Sequence, residues 1–180
     1  EIYFNNNKGD GLALYDSLLE VGVVPVGIET YANSRRLEKS FRLQGADLET
    51  EYTAIEAAIQ RPLVKEADFH GKAAHLAHRE EDPCAILCTM TLDDLNVSGK
   101  TRYPVGISPI IDPATGEVPI DSKGRRSYTT GMSYCPSLKK FVVMGYLPKE
   151  IAIQGKSLLI EYFNENGDGL YPRSEEHTSE

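Results

Sequence analysis

The stretch that decides the fold is residues 36–48, which read RLEKSFRLQGADL. It begins within a predicted short helix over 33–38, and the helical spacing puts Arg36 and Lys39 on one face with Glu38 turned away. These charges have two interpretations. They form a catalytic cluster, or they form a structural ion pair beside a solvated face. The second is favoured, because charge clusters of this kind are most often structural.

Upstream of this stretch the pattern is mainly helical. Asp10 is suited to cap a helix that Gly22 ends, since its carboxylate can accept exposed backbone N–H groups. The apolar run 23–28 is interrupted by Pro25 and is predicted as a loop or an edge strand. Residues 1–4 predict a strand that precedes a loop. The apolar face of the helix is formed by Leu12, Tyr15, Leu18 and Leu19.

Downstream, an acidic loop over 47–52 leads to two further helical segments. Thr53 is suited to cap a turn that carries Ile55 and Ile59. Asp68 is suited to cap a helix over 69–79, with the apolar side chains Phe69 and Leu76 facing inward. The charge run and proline at 80–83 break this pattern.

Beyond the break the apolar period changes from helical to two. Residues 86–92 alternate as in a half-buried strand. Turn chemistry at 112–116 and 164–169 separates later strands. Short strands at this spacing predict a small closed or nearly closed antiparallel barrel, so the fold class is α+β. The later strand candidates are 107–111, 126–134, 141–147 and 157–163.

Composition narrows the class of protein. The 180 residues suit one domain or two small ones, and 41% hydrophobic with 26% charged residues is typical of a globular chain. The net charge of −8 opposes non-specific nucleic-acid binding. No apolar stretch is long enough to span a membrane. Three cysteines form no disulfide framework and favour a reducing compartment.

Both ends of the chain look unlike a natural protein. The first residue is Glu1, without a Met or a signal-peptide pattern. Residues 173–180 read as a translated adapter and are predicted to be a non-native tail. We therefore expect the chain to be an internal fragment of a longer protein, inactive by itself.

Several ordered segments give the chain a family resemblance. Together they resemble the aminomethyltransferase (glycine-cleavage T-protein) family, whose members run SLRLEKG(Y/F)RLWG-D and, later, VTSGxYSPSLxKxIALGYVP. The chain departs from these motifs at Ser40, which replaces a Gly, and at Gln44, which replaces a Trp. Beside 36–48, the matching segments are 51–57 (EYTAIEA), 68–72 (DFHGK), 127–131 (SYTTG), 136–140 (PSLKK) and 144–148 (MGYLP).

Two segments resemble one subgroup of that family. Residues 109–113 (PIIDP) and 120–127 (IDSKGRRS) are most similar to the C-terminal folate module of dimethylglycine and sarcosine dehydrogenases. These are long flavoenzymes, so the resemblance implies FAD in an upstream part and a methylated-amine substrate. The alternatives are a stand-alone aminomethyltransferase and a non-catalytic folate-binding module.

The resemblance implies an architecture and an activity. Residues 1–82 are expected to form the C-terminal part of a folate-binding domain, and 83–172 a C-terminal β-barrel. Tetrahydrofolate is the expected cofactor, which accepts a one-carbon unit and becomes 5,10-methylene-tetrahydrofolate. The expected compartment is the bacterial cytoplasm or the mitochondrial matrix. The oligomeric state stays open.

The resemblance also implies site residues. Glu1 and Tyr3 align with the strand that holds the pterin, where one carboxylate can accept two adjacent N–H bonds. Tyr31 is a candidate for stacking on the ligand, because Ala32 stands where glycine-cleavage members carry an Arg. No residue is predicted to be catalytic, since the family's proposed catalytic Asp lies upstream.

The histidines and cysteines are two further groups of candidate site residues, as metal ligands or nucleophiles. His70, His75 and His78 lie close along one predicted helix but lack the other ligands of a convincing metal site, so a solvated face is favoured. Cys84 and Cys88 are predicted to be buried small hydrophobes. Cys135 is predicted to lie accessible in a turn, without the partners of a nucleophile.

Overall fold

The computed structural model describes residues 11–93, 96–97, 100–101, 107–163 and 170–179. Its first helix, α1 (Gly11–Glu20), lies where the sequence predicts it and ends before Gly22, which takes a left-handed φ of +86°. The run 23–27 is an exposed loop, one of the two predicted alternatives. The predicted strand over 1–4 and the cap at Asp10 lie outside the described residues.

The predicted helix over 33–38 is present, but it begins earlier and has an unusual winding. A π-helix over Thr30–Arg35 runs into a single α-helical turn, α2 (Arg36–Glu38). Wide π turns occur mostly as short insertions, frequently at functional sites. Apolar periodicity does not register this winding, so the sequence analysis missed it.

The next helix, α3 (Lys72–Glu80), starts later than predicted. Gly71 adopts a φ of +82° directly before it, which fixes the start after the predicted cap Asp68. The inward orientation predicted for Leu76 is wrong, because that side chain is 42% exposed and α3 buries none of its residues. The predicted turn after Thr53 is confirmed: its hydroxyl accepts the Glu56 N–H at 3.2 Å.

The second half of the chain forms antiparallel sheets, as predicted. The strands are β1 (Ala85–Leu92), β2 (Asn96–Val97), β3 (Lys100–Thr101), β4 (Ile110–Ile111), β5 (Thr129–Cys135), β6 (Lys140–Pro148), β7 (Ser157–Phe163) and β8 (Leu170–Ser179). Among the described residues, the main sheet has six strands in the order β4-β7-β8-β1-β6-β5, and a separate two-stranded sheet pairs β2 with β3.

The two ends of the main sheet meet through backbone hydrogen bonds. The Ile107 N–H donates to the Thr129 carbonyl at 3.1 Å, and the Thr129 N–H donates to Ser108 at 2.9 Å. A further bridge joins Pro109 to Tyr128. Because β4 also pairs with β7, the segment that carries β4 joins both sheet edges. The prediction of a closed or nearly closed barrel thus agrees with these contacts.

Two predicted turns and the predicted tail have different outcomes. In the 112–116 turn, the Asp112 carboxylate accepts the Ala114 N–H at 3.0 Å, as its turn chemistry predicts. The 164–169 turn lies outside the described residues. The backbone of β8, which includes most of the predicted tail, pairs with β7 and β1. The non-native origin of 173–180 stays a prediction.

The core extends across the predicted domain boundary at 82/83. On one side of the sheet, residues of β1, β4, β6 and β7 pack together. On the other side, Leu37 and Ala57 from the first segment pack against β1 and β6. The division into two domains remains a prediction, but the cluster that contains Leu37 and Ala57 joins both parts. The first cluster is Met90, Leu92, Ile110, Val143, Leu147, Leu158 and Ile160.

Cys135 contradicts its predicted exposure. It is the last residue of β5 and is fully buried. Its thiol lies 3.3 Å from the Ser34 carbonyl oxygen, and burial raises its pKa to about 11. A thiol that stays protonated at neutral pH is a poor nucleophile.

The close packing around Gly145 on β6 predicts that a side chain is not tolerated at this position. A Cβ at this position would lie 2.7 Å from the Tyr128 carbonyl oxygen and 2.7 Å from Ile110 Cδ1. We expect Gly145→Ala to lower the free energy of unfolding by about 1–3 kcal/mol, as overpacking usually does, measured by urea denaturation. Gly27→Ala is the control, because a Cβ there meets nothing within 4 Å. Equal stability of the two variants would contradict the packing described here.

Candidate functional site

A buried ion pair holds the segment 36–48 against the barrel. Arg36 Nη1 donates to Asp47 Oδ2 at 2.5 Å and to the Phe41 carbonyl oxygen at 3.1 Å. Asp47 is fully buried and also accepts the Leu43 N–H at 2.8 Å. From the barrel, the Thr130 hydroxyl donates to the same carboxylate. The structural interpretation of Arg36 is therefore confirmed, with Asp47 as its partner.

A second polar cluster joins the same two parts of the chain. Arg125, from the turn before β5, pairs with Glu56 and with Asp121 at 2.7 Å. Its guanidinium also lies 4.3 Å from the Tyr52 ring centroid. Burial opposes ionisation of Glu56. The hydrogen bonds from Arg125 and from the Thr53 N–H, with the positive charges of Arg125 and Lys123, together outweigh burial, so the pKa of Glu56 lies below its ordinary value.

Two tyrosines connect the clusters. The Tyr52 and Tyr146 rings stack with centroids 3.5 Å apart, and the Tyr146 hydroxyl donates to the Asp47 carbonyl oxygen at 2.7 Å. Burial raises the pKa of both phenols, so both stay protonated and able to donate. Asp47 thus receives contacts from the barrel through its side chain and its backbone.

Arg36 of the buried ion pair also lines an open groove at the surface, which we name the Tyr31 groove. It has a volume of about 600 Å³. The rings of Tyr31 and Phe41 are 67% and 65% exposed, so both are accessible to a ligand. The residues that line the groove are Tyr31, Ala32, Arg35, Arg36, Glu38, Lys39, Phe41, Arg42, Leu43 and Ser137.

The charges of the groove differ in sign from the net charge of the protein. Four of its lining residues are cationic and one is acidic, whereas the whole chain carries −8. Arg36 is neutralised by Asp47, and Arg42 donates to backbone carbonyls, among them Ala57 at 2.9 Å. Lys39 is exposed, and Arg35 keeps 54% of its side chain exposed although it pairs with Glu38. These two residues therefore provide the accessible cationic groups. This combination of exposed rings and cations suits a flat aromatic anion.

One of the binding residues predicted from the family resemblance lies in this groove. Tyr31 lines it, next to Ala32, the position where relatives of the glycine-cleavage type were expected to carry an Arg. Glu1 and Tyr3, the other two predicted residues, lie outside the described residues. Phe41 and Ser137 were missed as groove residues. Phe41 could have been proposed from the sequence, because it belongs to the stretch 36–48 that carries the family resemblance.

The other candidate groups remain away from the groove. His75 and His78 lie on α3, and no three His, Cys, Asp or Glu side chains are placed to share a metal ion within the described ranges. Cys88 is partly buried on β1, and burial raises its pKa to about 11. No helix in the part of the chain that the structure describes has the length and apolar character needed to cross a membrane.

Comparison with known proteins gives relatives along most of the chain. No protein-family model matches. The aminomethyltransferases of Francisella tularensis subsp. tularensis and Francisella philomiragia are each 30% identical over 168 residues, which cover 87% of this chain and 42% of theirs. The chain therefore spans less than half the length of these relatives.

A solved structure has the same fold. The crystal structure of glycine cleavage system aminomethyltransferase T from Bartonella henselae matches with a TM-score of 0.65 at 24% identity. The match covers 96% of this chain and 43% of that one. The mixed helical and antiparallel α+β fold predicted from the sequence is thus confirmed.

The buried ion pair makes a direct prediction. Asp47→Ala would leave the Arg36 guanidinium buried without its carboxylate, so we expect a loss of about 3–5 kcal/mol in the free energy of unfolding. The matched control is Asp82→Ala, which removes an exposed ion pair with Lys149 and should cost less than about 1 kcal/mol. Urea denaturation measures both. Similar losses in the free energy of unfolding of the two variants would show that the buried Arg36–Asp47 pair is no more important for stability than an exposed ion pair.

Proposed function

Since this chain belongs to the aminomethyltransferase family, we propose that it binds tetrahydrofolate in the Tyr31 groove and takes part in one-carbon transfer. The observation that carries the proposal is the groove itself, where two exposed rings lie beside accessible cations. A reduced folate has flat rings joined to a glutamate with two carboxylates, so each part of the ligand has a complementary group.

The groove fits this ligand in size and chemistry. Its volume of about 600 Å³ lies within the usual range for sites of drug-sized molecules. Tyr31 and Phe41 offer ring faces on which an aromatic ligand can stack. Arg35 and Lys39 offer hydrogen-bond donors and positive charge for a carboxylate. The carboxylate of Glu1 and the ring of Tyr3 are proposed as further pterin contacts, on the basis of the family resemblance.

The proposed reaction is that of the family. Two nitrogens of tetrahydrofolate form bonds to the one-carbon unit of an aminomethyl or iminium donor, which gives 5,10-methylene-tetrahydrofolate. The bonds from that carbon to the donor break, and the leaving amine and any other donor group take up the two protons that the folate nitrogens lose. We assign no catalytic role to a residue of this chain, whose part is to bind and orient the folate. The proposed compartment is the bacterial cytoplasm or the mitochondrial matrix.

A finer proposal concerns the whole enzyme to which such a module belongs. The resemblance of 109–113 and 120–127 favours a flavin-dependent dimethylglycine or sarcosine dehydrogenase, with FAD and a methylated amine bound elsewhere. Arg125 lies in the second segment and pairs with Glu56, so this segment is attached to the part that carries the groove. The alternatives are a stand-alone aminomethyltransferase and a folate-binding module without transfer chemistry.

The coding sequence that surrounds this segment separates these possibilities. A strand followed by a G-x-G-x-x-G turn and a helix upstream supports the flavoenzyme. An upstream sequence without that pattern favours the stand-alone enzyme, and one without the family's catalytic Asp favours a binding module.

Binding tests the proposal on the chain itself. We expect 5-formyl-tetrahydrofolate, a stable reduced folate, to bind in isothermal titration calorimetry. Tyr31→Ala should weaken the affinity about tenfold, equivalent to about 1.4 kcal/mol, because a stacking face is lost. Tyr31→Phe keeps the ring and should stay within about threefold of the unmodified chain, equivalent to less than about 0.7 kcal/mol.

The control for this experiment is Tyr134→Ala. Tyr134 is also an exposed tyrosine, on β5, but it does not line the groove. Its removal should leave the affinity unchanged. Absence of binding by the unmodified chain, or equal losses at Tyr31 and Tyr134, would refute the assignment of this groove.

A further inference from the structure

We propose that Glu38 is a positioning residue: it holds the β5–β6 turn (136–139) in place as one wall of the Tyr31 groove and thereby sets the affinity for a reduced folate. This inference rests on the proposed function, because it concerns the same groove. It goes further in assigning a role to a residue that need not touch the ligand.

The groove is assembled from two distant parts of the chain. Among its lining residues, Ser137 alone comes from the barrel, and all the others lie within 31–43. The width of the groove therefore depends on where the β5–β6 turn lies relative to the segment with Tyr31 and Phe41. Whatever joins the turn to that segment fixes the shape of the site.

Glu38 provides that connection. The Ser137 backbone N–H donates to Glu38 Oε1 at 2.8 Å. Arg35 Nη1 donates to Glu38 Oε2 at 2.8 Å and to the Ser137 hydroxyl oxygen at 2.8 Å. The three residues thus form a closed triangle across the groove rim. The Glu38 side chain is only 8% exposed, whereas Arg35 and Ser137 lie at the exposed rim.

The turn has a backbone conformation that needs external support. Residues 136–140 are exposed, and Lys139 has a φ of +54°, in the left-handed region that a side chain disfavours. Such a conformation persists only where surrounding contacts hold it. Within the turn, the Leu138 N–H donates to the Cys135 carbonyl at 3.1 Å. The contacts of Ser137 with Glu38 and Arg35 add the tie to the groove.

The charge of Glu38 matters as well as its shape. The Ser137 N–H, together with Arg35, holds the pKa of Glu38 below its ordinary value despite some burial. The side chain is therefore a carboxylate at neutral pH and can accept from both donors at once. Glu38→Gln keeps one oxygen acceptor but loses the charge that pairs with Arg35, and Glu38→Ala loses both.

A single tryptophan reports the position of the wall. The chain contains no Trp, and Leu138, at the tip of the turn, is 51% exposed. Leu138→Trp therefore introduces one indole whose fluorescence anisotropy reports the mobility of the turn. In this background we expect Glu38→Ala to lower the anisotropy and weaken 5-formyl-tetrahydrofolate binding about tenfold. Glu38→Gln should lower both the anisotropy and the affinity, but less than Glu38→Ala does.

The control is Glu150→Gln, an exposed glutamate beyond the end of β6, which should change neither signal. Circular dichroism melts identify variants that do not fold, and Glu38→Gln keeps the test decisive if Glu38→Ala is one of them. Folded Glu38 variants with unchanged anisotropy, or with lower anisotropy and unchanged affinity, overturn the proposal. If the unmodified chain binds no folate, the proposed function fails, while lower anisotropy would still support Glu38 as the residue that holds the wall.

Discussion

The interaction on which the rest of the structure depends is the buried ion pair between Arg36 and Asp47. Asp47 is fully buried and Arg36 is 8% exposed, so neither charge could remain there without the other. The pair closes the loop from 36 to 47 on itself. Thr130 and Tyr146 then tie Asp47 to the barrel. The short helical segment, whose Leu37 packs in the core, is thereby also fixed by polar contacts.

The groove follows from this anchoring. With Arg36 paired to Asp47, the rings of Tyr31 and Phe41 remain exposed in the groove that Arg36 also lines. Space for the guanidinium exists because residue 131 is a glycine, where a Cβ would come within 2.6 Å of Arg36 Nη2. The same residues that make a stable core contact therefore leave an open, aromatic and cationic surface above it.

Some of this organisation could be predicted from the sequence and some could not. The period-two alternation over 86–92 predicted β1, which begins one residue earlier, since alternation reflects burial on one face of a sheet. The strand candidates that follow it include β7 with its observed bounds, and β5 and β6 to within three residues. The π-helix over Thr30–Arg35 was not predicted, because one extra residue in a helical turn leaves no clear pattern of apolar residues in the sequence. The pairing of Asp47 with Arg36 and that of Ser137 with Glu38 were not predicted either, since the spacing of residues along the chain indicates neither contact. Tyr31, whose role in binding stays a prediction, was proposed only through the family resemblance.

The direct test of the account is a crystal structure of the chain with 5-formyl-tetrahydrofolate. We expect an aromatic ring of the ligand in van der Waals contact with Tyr31, and a ligand carboxylate within hydrogen-bond distance of Arg35 or Lys39. Ligand density at another surface, with the Tyr31 groove empty, would contradict the assignment of this groove as the folate site.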